Sequence, residues 1–360
     1  MSGDKTDLAI LRSVSRSFYI SIRILPARLR EPVALAYLLA RSTDTVADTA
    51  EVAVEMRAET LRKLAQMIQG KIPRDAVVDL VGPFAIMQTN SSERTLLESL
   101  PDCLERLEQL DAEDHDDVRG LLDIITQGQV LDLVRFNNPT QIRALPTAAE
   151  LDRYAYHVAG CVGEFWTRLC FRHIRKFATM SEAKMLELGR HYGMGLQLIN
   201  ILRDAGPDLR AGRCYFPEEE LAAARMAPAQ ILREPERFQP IYQKWIDKAK
   251  RGLESGMQYS RAIRNRRIRA ATALPALIGA QTIALLRDAG ATALHRKTKV
   301  PRREVRRMIM SLVLSLASPT HAAPKANQLG PEVALAVPKD SYVGRLEVAP
   351  LHGPVGTDET

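Results

Sequence analysis

The sequence lacks the motifs of several common site types. Its four cysteines, at positions 103, 161, 170 and 214, form no C-x-x-C pair, and its seven histidines form no H-E-x-x-H motif. These absences disfavour a zinc site and a disulfide framework, and they fit reduced thiols in a cytosol. The chain also has no Walker loop, and G-M-G at 193–195 lacks the third glycine and the preceding strand of a dinucleotide-binding fingerprint.

Aromatic residues are scarce, at 5% of 360 residues, and the apolar content is mostly Ala and Leu. This composition favours helix over sheet and makes an all-β sandwich a poor interpretation. With 46% hydrophobic and 26% charged residues, the chain can bury a sizeable core, so wholesale disorder is excluded.

Long hydrophobic runs are also missing. The first residues carry charges and no apolar core of a signal peptide. The longest apolar run, 271–286, is interrupted by Pro275 and Gln281 and is shorter than the roughly 20 residues of a spanning helix. We therefore predict that this run is a buried helix. The expected location is cytoplasmic, with at most a peripheral association with the inner face of the membrane.

What the sequence does contain is helical periodicity. From about residue 8 to residue 316, apolar residues recur at spacings of three and four, separated by short Gly- and Pro-containing breaks. This pattern predicts a single all-α domain over 1–318. Residues 319–360 hold 6 of the 20 prolines and show no sustained period, so we predict a disordered tail there.

Positive charge is concentrated near the end of the helical region. Residues 251–310 contain 14 Lys or Arg and 3 Asp or Glu, a local excess of +11 in a chain whose net charge is +7. Nucleic acid, an anionic membrane surface and a phosphorylated small molecule all fit this charge. We expect no nucleic-acid binding, because the segment has neither interleaved stacking aromatics nor a recognised motif.

The first candidate site is the sequence R-S-T-D-T-V-A-D. Asp44 and Asp48 are four residues apart and share a helix face, with Arg41 one turn earlier. Carboxylates this close repel unless a cation lies between them, and Mg²⁺ takes one or two carboxylates while keeping waters and phosphates as its other ligands. The alternative is a solvated acidic face at the end of an exposed helix.

A second, longer segment at 193–217 repeats this arrangement. Asp204 and Asp208 have the same spacing, and Gly206-Pro207 between them should end or distort the helix. Four polar residues accompany the pair. Gln197 and Asn200 share one helix face with Asp204, and Arg203 and Arg213 have guanidinium groups that suit phosphate oxygens. The alternative is a core helix with a polar seam. Together, two Asp pairs with neighbouring arginines predict a site that binds an organic diphosphate through Mg²⁺, or through Mn²⁺ in its place.

Three further segments are less specific. Tyr154 begins an apolar stripe with Gly160 and Gly163, which suits either a dry tunnel or ordinary helix packing. The sequence S-R-S-F could cap a helix or contact phosphate through Ser15, Arg16, Ser17 and Phe18. The basic segment 295–307 could hold the phosphates of a nicotinamide cofactor or be solvated.

Taken in order, these motifs resemble the squalene/phytoene synthase family of head-to-head prenyl transferases. The similarity covers S-R-S-F, the D-T-V-A-D pair, Y-x-Y-x-V-A-G-x-V-G, L-Q-x-x-N-I-L-R-D and G-R-x-Y-x-P, spread over roughly residues 10–310. The resemblance implies the all-α isoprenoid synthase fold, with a central cavity and the two Asp pairs facing each other across its mouth.

The resemblance also implies an activity and residue roles. It implies that Mg²⁺ on the diphosphates of two farnesyl diphosphate molecules is bound by Asp44, Asp48, Asn200, Asp204 and Asp208. It implies that phosphate binding and the polar rim involve residues 15–18, Arg41, Gln197, Arg203 and Arg213. Tyr154 has the position of the family's tyrosine that handles the proton or the cation. The product would be presqualene diphosphate and then, by hydride from NADPH held at Lys299 and Arg302, squalene.

Sister activities of the same family are the alternatives. A phytoene or dehydrosqualene synthase, or a presqualene diphosphate synthase, would use the same fold without the reduction. A scaffold member of the family would not need its metal ligands, and the presence of all four Asp argues against it. The sequences G-R-C-Y-F-P and H-R-K-T-K-V-P-R-R are more similar to bacterial squalene synthases than to phytoene synthases.

Overall fold

A computed structural model of the protein describes residues 25–138, 140–296 and 298–317, together with Leu11 and Ile22. The predicted phosphate-binding residues 15–18 and the predicted tail 319–360 lie outside the described residues. Within them the chain is almost entirely helical, so the all-α class is confirmed. The α-helices are α1 (Ala27–Asp48), α2 (Val54–Ile68), α3 (Val77–Met87), α4 (Ser91–Glu98), α5 (Leu100–Leu107), α6 (Ala112–Arg135), α7 (Ala148–Ala155), α8 (Cys161–His173), α9 (Glu182–Arg210), α10 (Glu218–Ala223), α11 (Pro235–Ala262), α12 (Arg266–Ala289) and α13 (Arg302–Ala317).

Side-chain caps set the starts of several helices. The Ser181 hydroxyl accepts from the backbone N–H of Lys184 at the start of α9, and the Asn265 side chain accepts from the N–H groups of Arg267 and Ile268 at the start of α12. These bonds satisfy backbone donors that have no partner within a helix. They fix where two helices begin: α9, which carries the second Asp pair, and α12, which carries the longest apolar run.

Glycines allow the long helices to pack with their backbones almost in contact. A Cβ on Gly195 of α9 would lie 2.7 Å from the Cα of Gly252 on α11, and a Cβ on Gly163 of α8 would lie 2.0 Å from the carbonyl oxygen of Gly189 on α9. Any larger residue would force these helices apart. Helix α9 is therefore held on two sides, which gives a rigid base for the polar residues in its second half.

Two short parallel strands interrupt the helical pattern. Strand β1 (Arg143–Leu145) pairs with β2 (Arg213–Pro217), with Arg143 opposite Arg213. The chain turns from α9 into β2 at Gly212, whose φ of 80° is a left-handed value that suits glycine. This turn carries Arg213 and Tyr215 back toward the other helices.

The apolar stripe that begins at Tyr154 is not on one regular helix. A π-helical turn, Tyr156–Gly160, separates α7 from α8. The extra residue in such a turn rotates the side chains that follow it, so the predicted stripe is shifted at this point. Gly128 of α6 packs against the turn, where a Cβ would lie 2.9 Å from the Cβ of His157.

We predicted that Gly206-Pro207 ends or distorts the second Asp helix. The prediction that the helix ends there is wrong. Helix α9 continues through Pro207 to Arg210. Proline removes one backbone donor, so the carbonyl of Arg203 loses its usual helical partner, but the helix is held from outside. A Cβ on Gly206 would lie 1.8 Å from the carbonyl oxygen of Leu294, the last residue of the 3₁₀ turn Gly290–Leu294. Asp208 is consequently buried on a continuous helix.

The prediction for the apolar run 271–286 also needs correction. Helix α12 extends past both ends of that run, and Arg266–Leu294, at 29 residues, is the one segment among the described residues long and apolar enough to cross a membrane. Core helices of soluble proteins meet the same criterion. Of its most apolar window, 39% is buried inside the protein. The buried residues include Ala276, Ile283 and Leu286, so the expected packing holds for one face of α12 only.

Replacing Gly206 by alanine tests the contact between α9 and the Gly290–Leu294 turn. We expect Gly206→Ala to lower the free energy of unfolding by about 3 kcal/mol, because the methyl group meets a backbone oxygen that cannot rotate away. The measurement is urea unfolding followed by circular dichroism. The control is Gly120→Ala in α6, where nothing lies within 4 Å and a gain of up to about 1 kcal/mol is expected. Equal stability of the two variants would contradict this contact.

Candidate active site

Asp44 lies near the end of α1 and is almost completely buried, with 3% of its surface exposed. Gln129 of α6 donates from Nε2 to its Oδ1 at 2.7 Å, and Nη1 of Arg41 lies 3.9 Å from its Oδ2. A buried carboxylate is stable only with such donors and countercharges. The alternative of a solvated acidic face is therefore wrong for Asp44.

Arg41 is held in place by Glu93, a buried residue of α4. Its Nη2 donates to Glu93 Oε1, and the hydroxyl of Thr45 donates to Glu93 Oε2. Burial alone would lower the pKa of Arg41, but the carboxylates of Glu93 and Asp44 outweigh burial and raise it. Arg41 therefore stays charged between two carboxylates.

Asp48 is the last residue of α1 and is half-buried. Arg57 of α2 donates from Nη1 to the carbonyl of Ala47 at 2.7 Å, a favourable position for a cation at a helix C-terminus. Burial lowers the pKa of Arg57; Asp48 opposes this effect, whereas Arg213 of β2 adds to it. Arg57 and Arg213 thus lie close enough to repel each other beside Asp48. The Nε atom of each is buried without a hydrogen-bond partner.

The second Asp pair lies at the end of α9. Arg203 donates from Nη2 and Nε to the carboxylate of Asp204, at 2.6 and 3.1 Å. Asp208 is buried beside the Cys214 thiol of β2, whose pKa is raised to about 12, mainly by burial.

Two polar residues precede this pair on α9. The side chain of Asn200 donates to the amide oxygen of Gln197 at 3.4 Å, and Gln197 is buried. The polar face predicted from the spacing of Gln197, Asn200 and Asp204 is therefore present on one continuous helix.

Tyr154 is buried and stacks on Tyr215 of β2, with ring centroids 4.8 Å apart and planes at 29°. Its hydroxyl lies 3.5 Å from that of Tyr215, which donates to Oδ1 of Asp132 at 2.7 Å. The three groups form a hydroxyl–hydroxyl–carboxylate series from α7 through β2 to α6.

Helix α6 connects these groups, because Gln129 and Asp132 are one turn apart on it. Gln129 contacts Asp44 and Asp132 contacts Tyr215, while Arg213, two residues before Tyr215, lies near Arg57, the cation that also interacts with Asp48. Asp44, Asp48, Arg213 and Tyr154 are thus brought together from three parts of the chain.

The predicted cofactor-binding residues are less enclosed. Lys299 and Arg302 are both exposed. Their segment begins next to the second Asp pair, because the Leu294 carbonyl lies against Gly206 and 3.5 Å from Nη1 of Arg210.

The donor set fits a hard cation that keeps several of its own waters. Among the described residues, no three His, Cys, Asp or Glu side chains converge as a complete metal cage. Mg²⁺ does not need one, since it uses one or two carboxylates together with waters and substrate phosphates. The buried Oε1 of Gln129, beside Asp44, has no hydrogen-bond partner and could accept one from such a water.

Comparison with known proteins places this arrangement in a family. The family model described as "Squalene/phytoene synthase" matches residues 11–304. The chain belongs to the squalene/phytoene synthase family. Over 242 residues it is 31% identical to a bifunctional lycopene cyclase/phytoene synthase of Phaeosphaeria nodorum, a match that covers 66% of this chain and 38% of that protein.

A squalene synthase and a solved structure are also similar. The squalene synthase ERG9 of Saccharomyces cerevisiae is 29% identical over 210 residues, or 58% of this chain and 44% of that protein. The chain therefore matches less than half the length of either relative. A ligand complex of TcSQS has a TM-score of 0.68 over 89% of this chain and 92% of its own, at 23% identity, which shows a shared fold.

Several residues of this family member's site are not evident from sequence motifs. Glu93 and Arg57 lie on helices outside every motif, and nothing in the local sequence marks them. Gln129 and Asp132 lie in G-Q-V-L-D, where their spacing of three is a visible but common signal. Tyr215 is within G-R-C-Y-F-P, and only the fold reveals its contact with Tyr154.

Removing the charge of Glu93 tests whether it holds Arg41. We expect Glu93→Gln to lower the free energy of unfolding by about 2 kcal/mol, because the half-buried guanidinium of Arg41 loses a charged acceptor. Chemical denaturation measures this change. Glu59→Gln is the matched control, since exposed Glu59 forms only surface pairs with Arg62 and Lys63, and a change below about 0.5 kcal/mol is expected. A Glu93 variant as stable as the control would refute this role.

Proposed function

We propose that this chain is a prenyltransferase that joins two farnesyl diphosphate molecules head to head and reduces the product to squalene with NADPH. The observation that carries the proposal is the convergence of Asp44 and Asp48 with Arg41, Arg57 and Arg213. Several buried or half-buried guanidinium groups beside two carboxylates form a charge pattern that suits diphosphate and a divalent cation together.

Mg²⁺ would be held by Asp44 and Asp48 on one side and by Asn200, Asp204 and Asp208 on the other. Bound there, it would supply neutralisation of the diphosphate and stabilisation of the leaving group. Arg41, Arg57 and Arg213 would orient the phosphate oxygens, and the unpartnered Nε groups of Arg57 and Arg213 are donors suited to this task.

The reaction proceeds in two stages. In the first, two farnesyl diphosphates give presqualene diphosphate, inorganic pyrophosphate and a proton. In the second, presqualene diphosphate and a hydride from NADPH give squalene, a second pyrophosphate and NADP⁺. The apolar residues around Tyr154 support the exclusion of water, which would otherwise capture the carbocations.

Tyr154 is the candidate acceptor of the proton lost in the first stage. A phenol can take a proton only by giving up its own, and the Tyr154 hydroxyl is directed at that of Tyr215. Tyr215 in turn donates to the carboxylate of Asp132 at 2.7 Å. This series supports a route by which the proton leaves the apolar region toward Asp132.

The reduction step rests on the basic segment that follows Leu294. Lys299 and Arg302 are exposed cations on a segment that starts beside the second Asp pair, and they would bind the phosphates of NADPH. The phytoene synthase of P. nodorum, 31% identical to this chain, favours the alternative in which no reduction occurs. Phytoene, dehydrosqualene or presqualene diphosphate would then be the product.

The decisive experiment identifies the products formed from farnesyl diphosphate and Mg²⁺ with and without NADPH. Mass spectrometry of the organic extract after phosphatase treatment should show squalene only with NADPH. Presqualene alcohol or dehydrosqualene regardless of NADPH would move the protein to a sister activity. No product from farnesyl or geranylgeranyl diphosphate would leave the scaffold alternative.

Neutralising one carboxylate of each pair tests the metal assignment. We expect Asp44→Asn and Asp204→Asn each to reduce turnover by at least about 100-fold, because each removes a ligand charge at the developing leaving group. Asp79→Asn, at an exposed residue of α3, is the control and should retain full activity. Turnover in either site variant equal to that of the control would contradict the assignment.

We also propose a peripheral contact with an anionic membrane through α13. Arg303, Arg306 and Ile309 recur at spacings of three and are all exposed, and neighbouring Met310 is 59% exposed. The opposite side packs through Met308 on Ile278 of α12. A basic and apolar exposed face suits the headgroup region of anionic lipid.

Vesicle sedimentation tests this contact. The protein should bind phosphatidylglycerol vesicles more strongly than phosphatidylcholine vesicles, and the double change Ile309→Ser with Met310→Ser should weaken binding about tenfold, because it removes apolar burial. Val78→Ser with Ile86→Ser removes exposed apolar side chains of α3 and serves as the control. Equal binding of both double variants would argue against α13 as the contact.

A further inference from the structure

Gln129 is a buried amide that touches a carboxylate of the first Asp pair, a candidate metal ligand. It lies on α6 with 5% of its surface exposed, and its Nε2 donates to Asp44 Oδ1 at 2.7 Å. Its Oε1 is also buried and has no hydrogen-bond partner. A buried acceptor without a donor costs about 1–3 kcal/mol, so the position of this oxygen needs an explanation.

The covalent geometry of the amide places that oxygen close to Asp44. The oxygen and nitrogen of one amide share a carbon atom, so Oε1 of Gln129 lies within about 5 Å of Asp44 Oδ1. A cation bound to Asp44 at about 2.1 Å would hold its waters within hydrogen-bond reach of such an oxygen. Metal-bound waters are strong donors, whereas Asp44 itself offers only acceptors when ionised.

We propose that Gln129 is a positioning residue that acts on both sides of the metal: its Nε2 orients Asp44, and its Oε1 accepts a hydrogen bond from a water on the cation that Asp44 binds. This inference rests on the proposed function. It assigns to α6 a share of a site whose other metal-binding residues come from α1 and α9.

The arrangement explains why an amide occupies this position. A carboxylate at 129 would repel Asp44 in the absence of metal, and an apolar side chain would leave Asp44 without its donor. Only a side chain with one donor and one acceptor satisfies Asp44 and the water together. An ordinary trapped water on Oε1 is the competing explanation, and it predicts no dependence on Mg²⁺.

The test measures binding of inorganic pyrophosphate by calorimetry at a series of Mg²⁺ concentrations, with no turnover involved. For Gln129→Met, which keeps the length of the side chain without hydrogen bonds, we expect the Mg²⁺ concentration at half-maximal affinity to rise about 10- to 100-fold. Pyrophosphate binding without Mg²⁺ should be unchanged. Gln127→Met is the matched control, because exposed Gln127 on the same helix bonds only to Asp123 and should leave the midpoint unaltered.

A second variant separates the two atoms of the amide. Gln129→Glu keeps an acceptor, loses the donor and adds a charge that repels metal-free Asp44 but attracts the cation, so a role for Oε1 predicts a midpoint well below that of Gln129→Met. If donation from Nε2 were the whole effect, Gln129→Glu would be as weak as Gln129→Met, and the proposal would fail.

The remaining outcomes are also decisive. A wild-type midpoint in Gln129→Met overturns the proposal while leaving the proposed function in place. Absence of any Mg²⁺ effect in the wild-type protein removes the metal assignment itself. Should Gln129→Met not fold, the comparison of wild type with Gln129→Glu decides, since a midpoint raised by up to about 100-fold in a variant that keeps the acceptor would show that Oε1 contributes nothing and would overturn the proposal.

Discussion

Taking carboxylates out of water is the constraint on which the rest of this site depends. Asp44 and Glu93 are buried where α1 meets α4 and α6, and each requires positive charge and donors on that side of the molecule. Arg41 lies between them and serves both, while Thr45 and Gln129 complete the set. Because these partners come from different helices, the packing of α4 and α6 on α1 and the burial of Asp44 depend on each other.

Helix α6 transmits this constraint to the other half of the molecule. Gln129 and Asp132 lie on one turn of this helix, where Gln129 contacts Asp44 and Asp132 contacts Tyr215. Tyr215 belongs to a short strand that follows the second Asp helix, and it stacks on Tyr154. The aspartates of α1, the tyrosine of α7 and the arginine that begins β2 are therefore positioned with respect to one another by one turn of α6.

Close backbone packing positions the second Asp pair. Pro207 removes the helical hydrogen bond to the carbonyl of Arg203, yet α9 continues, and Gly206 allows the backbone at Leu294 to press against it. The glycines that join α9 to α8 and α11 hold its other faces. The same contact places the start of the basic segment beside this pair. Gly206 thus affects both the packing of α9 and the place where the basic segment begins.

The sequence by itself determined the helical class, both Asp pairs and the polar face of Gln197, Asn200 and Asp204, because spacing along one helix fixes which side chains share a face. It also contained the motifs of the family. It did not determine the continuity of α9 through Pro207 or the full length of α12, since local propensity is overridden by neighbours distant in the chain. Nor did it reveal Glu93, Arg57 and Asp132 as parts of the site. Only the tertiary structure decided those, because the charge, donor or acceptor that each satisfies belongs to another element, and no pattern within one segment records a partner 50 or 80 residues away.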